Sequence, residues 1–124
     1  MTAYPLLRYR DAQAALDFLK AAFGFESREV HRSDDGRIVH AEVHAGKGLL
    51  MLGEDAAGDD RFAEHLGRGW VYVALPEVDS ICEQARAAGA EIVSELTDQD
   101  YGSRDFAARD PEGNYFAFGT YEPA

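Results

Sequence analysis

Residues 40–44 read His-Ala-Glu-Val-His, which sets an imidazole, a carboxylate and a second imidazole at alternate positions. On a strand alternate side chains share a face, so His40, Glu42 and His44 project together. Donors of this kind bind a divalent transition metal or move a proton. Spacing limits the first use: residues four apart on a strand are separated by about 13 Å, too far for His40 and His44 to grip one ion. A His40–Glu42 chelate needs a third donor from another strand, and Asp105 is a conceivable one. Otherwise the two are hydrogen-bonded polar groups in a wet setting, or a base whose surroundings shift its pKa toward proton transfer. His31 and His65 stand among polar residues and are expected at the surface. Gly46-Lys47-Gly48 lacks the spacing of a phosphate loop, and Lys47 reads as a hairpin residue. Ser94 and Ser103 have no base at a recognisable spacing, so no nucleophile emerges. Cys82, the single cysteine, occupies an apolar helix position, where it is expected to be buried and can form no intrachain disulfide.

A second chemical set is aromatic. In "RDPEGNYFAFGTYEP", Asp110-Pro111-Glu112-Gly113 is a turn: proline presets φ and glycine tolerates the positive φ that follows. The residues after it alternate, Tyr115, Ala117, Gly119 and Tyr121 on one face and Phe116, Phe118 and Thr120 on the other. Both faces carry apolar bulk.

The elements that must position these groups occur twice. A strand-like run from Tyr4 to Tyr9 precedes Asp11, which can cap a helix with the apolar stripe Ala12, Ala15, Leu16, Leu19 and Phe23, ended by Gly24. Trp70 to Leu75 reads as another strand, Asp79 or Ser80 as a cap, and Ile81, Cys82, Ala85 and Ala88 as a second stripe ended by Gly89. Gly24 and Gly89 stand 65 positions apart. After each helix come three strands: Phe25 to Arg32, Arg37 to Ala45 and Gly48 to Gly53, then Glu91 to Leu96, Arg104 to Arg109 and Asn114 to Tyr121. The pattern is an internal duplication within one α+β domain: a βαβββ module over 1–53, a connector over 54–69 with one helical turn, and a second βαβββ module over 70–124.

The chain has 124 residues and a net charge of −11, which opposes a phosphate backbone and argues against nucleic acid and anionic membrane. A cationic ligand would be attracted. No apolar run reaches membrane-spanning length, and "MTAYPLLRYR" lacks a signal peptide's pattern. A reduced, cytoplasmic setting is expected.

Three stretches carry a resemblance to the vicinal oxygen chelate superfamily, which includes glyoxalase I, extradiol dioxygenases and the bleomycin-resistance proteins: "LLRYRDAQAALDFLKAAFGFE", "HAEVHAGKGLLML" and "YGSRDFAARDPEGNYFAFGTYEP". The last, with its Asp-Pro-acid-Gly-Asn turn and aromatic strand, is the most specific. The resemblance implies two βαβββ modules forming a curled mixed sheet, with helices on the outer face and a cup on the inner one. Phe116 and Phe118 then pack under the helices, and Tyr115, Ala117, Gly119 and Tyr121 face the cup. Period two sends Val39, Ala41, Val43, Val71, Val73 and Leu75 to the helix side and His40, Glu42, His44, Trp70 and Tyr72 inward.

Enzymes of this superfamily hold a divalent metal with His, Glu or Gln from the first, fourth, fifth and eighth strands. The resemblance puts Tyr4, Met51, Trp70 and Ala117 there, none a usual ligand for zinc, nickel or iron, and a one-residue slip brings no donor in. No metal and no other cofactor is therefore expected. Metal-free relatives of the bleomycin-resistance type are dimers that sequester a drug. By that likeness the chain is expected to be a homodimer that binds a planar or cationic organic compound, an antibiotic or metabolite, through Tyr4, His40, Glu42, Met51, Trp70, Tyr72, Arg104, Asp105, Tyr115 and Tyr121. The alternatives are a glyoxalase-like lyase or isomerase, or a dioxygenase, with an altered or absent metal site, and a dimeric interaction module without ligand.

Overall fold

Asp11 opens the first helix as its sequence suggests: its carboxylate accepts the Ala14 N–H at 3.0 Å, satisfying one of the donors a helix start leaves free. Gly24 closes it in the left-handed conformation at φ 73°, donating to the Leu19 and Lys20 carbonyls. In the computed structural model, which describes residues 1–55 and 61–123, this helix, α1 (Ala12–Phe23), follows strand β1 (Leu6–Tyr9) and precedes β2 (Glu26–Arg32), β3 (Ile38–Ala45) and β4 (Gly48–Glu54). A single 3-10 turn, Ala63–His65, lies in the connector, of which residues 56–60 are outside the described residues. Then come β5 (Trp70–Ala74), α2 (Val78–Ala87), β6 (Glu91–Asp98), β7 (Arg104–Arg109) and β8 (Tyr115–Gly119).

Each βαβββ set makes its own four-stranded mixed sheet, ordered β1-β4-β3-β2 and β5-β8-β7-β6, with β1–β4 and β5–β8 parallel and the other pairs antiparallel. The repeat runs at an offset of 65 on the third strands, where buried Ala41 and Val43 match Phe106 and Ala108. On the fourth strands the offset is 66, where Leu50 and Leu52 match Phe116 and Phe118. The longer Asp110–Asn114 turn supplies the extra residue. Period two therefore still sends equivalent side chains to equivalent faces.

Both helices lie on one side, and the core beneath them belongs to both modules. Phe23, from α1, meets Phe116 and Phe118 of β8 at ring-centroid distances of 5.2 and 4.7 Å, and Phe106 stacks on Phe118 at 5.0 Å. Buried aromatics of this size dominate a core's energetics, which explains why the halves do not separate. Cys82 is buried in the same cluster, and burial pushes its thiol up.

A polar joint completes the union. Asp110, itself buried, accepts the Tyr9 hydroxyl at 2.5 Å, the Asn114 amide group at 3.1 Å and the backbone N–H groups of Glu112 and Asn114 at 2.9 and 3.0 Å. Glu112 reaches the other way, accepting the backbone N–H groups of Arg10 and Asp11 at 2.7 and 2.9 Å. Asn114 also accepts the Gly69 N–H at 2.7 Å. The Asp-Pro-Glu-Gly-Asn turn thus grips the β1–α1 junction of the other module.

Four expectations need correction. Val39 does not face the helices but is exposed, because the β2–β3 register shifts between His31↔His40 and Arg32↔Ile38, and buried Ile38 takes the core position. This is a bulge, and at the second register shift, between Arg28 and His31, Glu29 adopts a positive φ of 51°. Tyr4 precedes β1 rather than opening it, and Leu75 follows β5. Helix α2 starts two or three residues earlier than an Asp79 or Ser80 cap implies: Glu77 is its N-cap without a side-chain bond, and Asp79 lies in the first turn. Among the described residues no helix is long and apolar enough to cross a membrane.

Candidate functional site

The sheet faces opposite the helices are open, and the ladders fix their side chains in rows. Across the second sheet Trp70, Tyr115, Arg109 and Glu91 share one row, and Tyr72, Ala117, Ala107 and Ser94 the next. Trp70 is 73 % exposed and meets Tyr115 edge-to-face at 5.5 Å. Arg109 lies 4.8 Å over the Tyr115 ring, donates to its hydroxyl at 3.0 Å and pairs with Glu91 at 3.1 Å. The result is an aromatic shelf braced by a cation, beside a floor of alanines. Ala117 thereby leaves room above the sheet.

Beyond that floor, the Tyr72 hydroxyl donates to the Tyr121 carbonyl at 2.5 Å. Its ring covers Gly119, where an added Cβ would come 2.6 Å from the hydroxyl, so a larger residue there would have to displace the Tyr72 ring. Burial raises the Tyr72 pKa from 10.0, nearby Asp105 adds to that, and the group stays a neutral donor. Asp105 is held by the Gln99 amide at 3.0 Å and the Tyr101 hydroxyl at 3.4 Å. Tyr121 lies past the end of β8, half exposed.

On the first sheet Leu6, Met51, Glu42 and Arg28 form a row. His40 lies beside His31, ring centroids 6.1 Å apart. Among the described residues no three or more His, Cys, Asp or Glu side chains gather where they could hold a metal ion, so Asp105 does not complete a site with His40 and Glu42. The superfamily's strand positions fare no better. Of the four residues that the resemblance puts there, Tyr4 lies before β1 and Trp70 pairs with Tyr115; the ladders set Leu6 beside Met51 and Tyr72 beside Ala117 instead, an alkyl chain, a thioether, a phenol and a methyl group. These do not fit a zinc, nickel or iron centre, which needs imidazole or carboxylate donors.

Arg104 does not belong to this face. Strand alternation turns it away from Asp105 toward the start of α2, where it donates to Asp79 at 2.8 and 3.2 Å and lies 3.3 Å from Asp98. The guanidinium holds the exposed Asp79 carboxyl below its usual 3.8, so the pair stabilises the fold above that value and loses its contribution as pH falls through the lower folded one. Arg104→Ala is expected to leave the affinity for any ligand of the open face unchanged, and to steepen acid unfolding slightly less than wild type shows, as read by calorimetric binding and circular dichroism.

Two cavities are lined by described residues of β1, β5 and their neighbours. One, of about 310 Å³, lies between β1 and the connector, lined by Leu6, Leu7, Arg8, Phe62, His65, Arg68 and Gly69. The other, of about 570 Å³, is a cleft between the Gly46–Gly48 turn and β5, bordered by Pro5, Leu50, Tyr72 and Glu77. Sequence reasoning missed Arg8, Phe62 and Arg68 as lining groups; His65 is exposed, as its polar surroundings imply, and also lines this cavity. The available signal was the spacing of Arg61, His65 and Arg68, which puts basic groups on one side of a turn of helix.

Comparisons with known proteins agree with this architecture. Residues 2–118 match the family described as Glyoxalase/Bleomycin resistance protein/Dioxygenase superfamily. An uncharacterized protein of Mycobacterium bovis is 30 % identical over 123 residues, covering 93 % of this chain and 80 % of its own length. The crystal structure of TioX from Micromonospora sp. ML1 is similar with a TM-score of 0.81 and 29 % identity, covering 100 % of this chain and 98 % of that one. A glyoxalase/bleomycin resistance protein/dioxygenase family enzyme from Burkholderia phytofirmans PsJN gives 0.71 and 26 %, covering 94 % of each chain.

Proposed function

Given that the chain belongs to the Glyoxalase/Bleomycin resistance protein/Dioxygenase superfamily, we propose that it binds a planar organic compound on its open sheet face and holds it without breaking a bond. One observation carries this reading: beside Met51 and Ala117, two of the positions that the resemblance assigns to a metal, the parallel partner strands set Leu6 and Tyr72, and Trp70, which the resemblance puts at a third, stands exposed on a braced shelf. An exposed tryptophan costs a soluble protein surface apolarity unless something covers it. A flat ring stacked there gains dispersion and removes apolar area from water. The Ala117 and Ala107 floor gives that ring clearance.

The face extends over Leu6, 52 % exposed, and Tyr121, 54 % exposed, more than a small compound covers. A second copy of the chain over part of it completes the enclosure, which makes the holder a homodimer with its ligand between the subunits. Trp70 is the single tryptophan, so its fluorescence reports occupancy. Titration with planar two- and three-ring compounds is expected to quench it saturably, with each compound recovered unaltered. Conversion of the compound to product, or silence across the series, contradicts the proposal.

A further inference from the structure

We propose that the cavity between β1 and the connector is an anion subsite, so that the compound held is a planar aromatic acid; the inference rests on the holding function above. The chain carries a net charge of −11, yet this cavity gathers Arg8, His65 and Arg68 at its walls. Four other arginines are matched to acids, Arg8 to Asp55, Arg86 to Glu95, Arg104 to Asp79 and Arg109 to Glu91, while Arg32 and Arg37 donate to carbonyl oxygens instead. Arg68 has no carboxylate partner among the described residues, although acids outnumber bases by 23 to 12. A guanidinium left without a partner on such a chain, at the mouth of a cavity, is placed to take a carboxylate from outside.

The rest of the wall fixes what else the occupant must be. Leu6 and Leu7 supply apolar surface, and the Phe62 ring lies 5.2 Å from the Arg8 guanidinium, which Asp55 anchors at 2.7 Å. Arg8 is thereby held still and half neutralised, leaving Arg68 as the group that adds net positive charge. An apolar wall facing a cationic rim matches a flat ring bearing one acid. The volume, about 310 Å³, stands at the lower end of the roughly 300–1,000 Å³ of small-molecule sites and suits one or two fused rings. Gly69 lines the cavity and Trp70 follows it in the chain, which places the cavity next to the strand that carries the shelf.

The overall negative charge does not cancel this preference. At physiological ionic strength charges farther than about 8 Å are largely screened, whereas an acid in hydrogen-bond contact with Arg68 is not. Distance decides for the local cation.

Three compounds of one shape separate the possibilities: 2-naphthoate, 2-naphthamide and 2-naphthylmethylammonium, titrated calorimetrically into the intact protein and into Arg68→Gln. Arg68 is exposed, so its replacement leaves the fold in place. Naphthoate is expected to bind about tenfold or more tighter than the amide, and to lose that advantage in Arg68→Gln while the amide is unaffected. If the acid binds no tighter than the amide, or keeps its advantage without Arg68, or the ammonium compound binds best, the subsite is overturned and the holding function stands. If none of the three binds, both readings fall.

Discussion

Asp110→Ala is expected to destabilise the protein by about 3–5 kcal/mol, comparable to the whole stability of many domains, and so to leave much of it unfolded in mild denaturant. The buried carboxylate accepts four hydrogen bonds, one of them from Tyr9 across the module boundary. Its removal strands a phenol, an amide and two backbone N–H groups, and a donor left unpaired away from water costs more than the bond it made. Tyr9→Phe removes the bond from the other side and is expected to cost about 1–2 kcal/mol. Urea unfolding followed by circular dichroism measures both.

The same joint sets an alkaline limit. Burial, then the charge of Asp110, pushes the Tyr9 hydroxyl far above its ordinary 10.0. The unfolded chain releases this proton once pH passes 10.0, whereas the folded chain keeps it. Stability is thus full below that pH and declines as pH rises beyond it. In Tyr9→Phe this part of the decline disappears, so the two proteins' stabilities converge between neutral pH and strongly alkaline solution.

The second large effect is on binding. Trp70→Ala is expected to weaken all planar compounds by about thirtyfold or more, since truncating an aromatic anchor commonly costs 2 kcal/mol or more. Trp70 is mostly exposed and touches the fold chiefly through Tyr115, so the thermal unfolding midpoint should hold. Trp70→Phe keeps a smaller ring on the shelf and should recover part of the affinity. The contrast with Arg68→Gln is informative: the shelf acts on every flat ring alike, the arginine on acids only. Calorimetry on neutral and acidic compounds separates the two contributions.

What the sequence disclosed follows from which forces are local. Asp11 and Gly24 were readable because capping and left-handed backbone are properties of single residues. Phe116 and Phe118 were readable because alternation leaves one face for the core, and the repeat of βαβββ gave the α+β architecture. Val39 was misread because a bulge breaks the period of two without a local signature. Arg104 was placed beside Asp105 although neighbours on a strand must face opposite ways; a guanidinium near an acid-rich helix start settles where it goes. The spacing of His65 and Arg68 could group them on one side of a turn, but that the connector lies over β1, with Phe62 in the lining, is set by tertiary contact. Likewise, the Asp-Pro-Glu-Gly-Asn turn announced itself as a turn, and only the structure reveals it as the joint between modules.

The central claim is that binding, not metal chemistry, occupies the open face. Elemental analysis of protein purified without chelator tests it most directly, by measuring zinc, nickel, manganese and iron per chain. The account predicts traces far below one ion per chain and ligand affinities that chelator leaves unchanged. One tightly held ion per chain, lost to chelator together with binding or turnover, would contradict it.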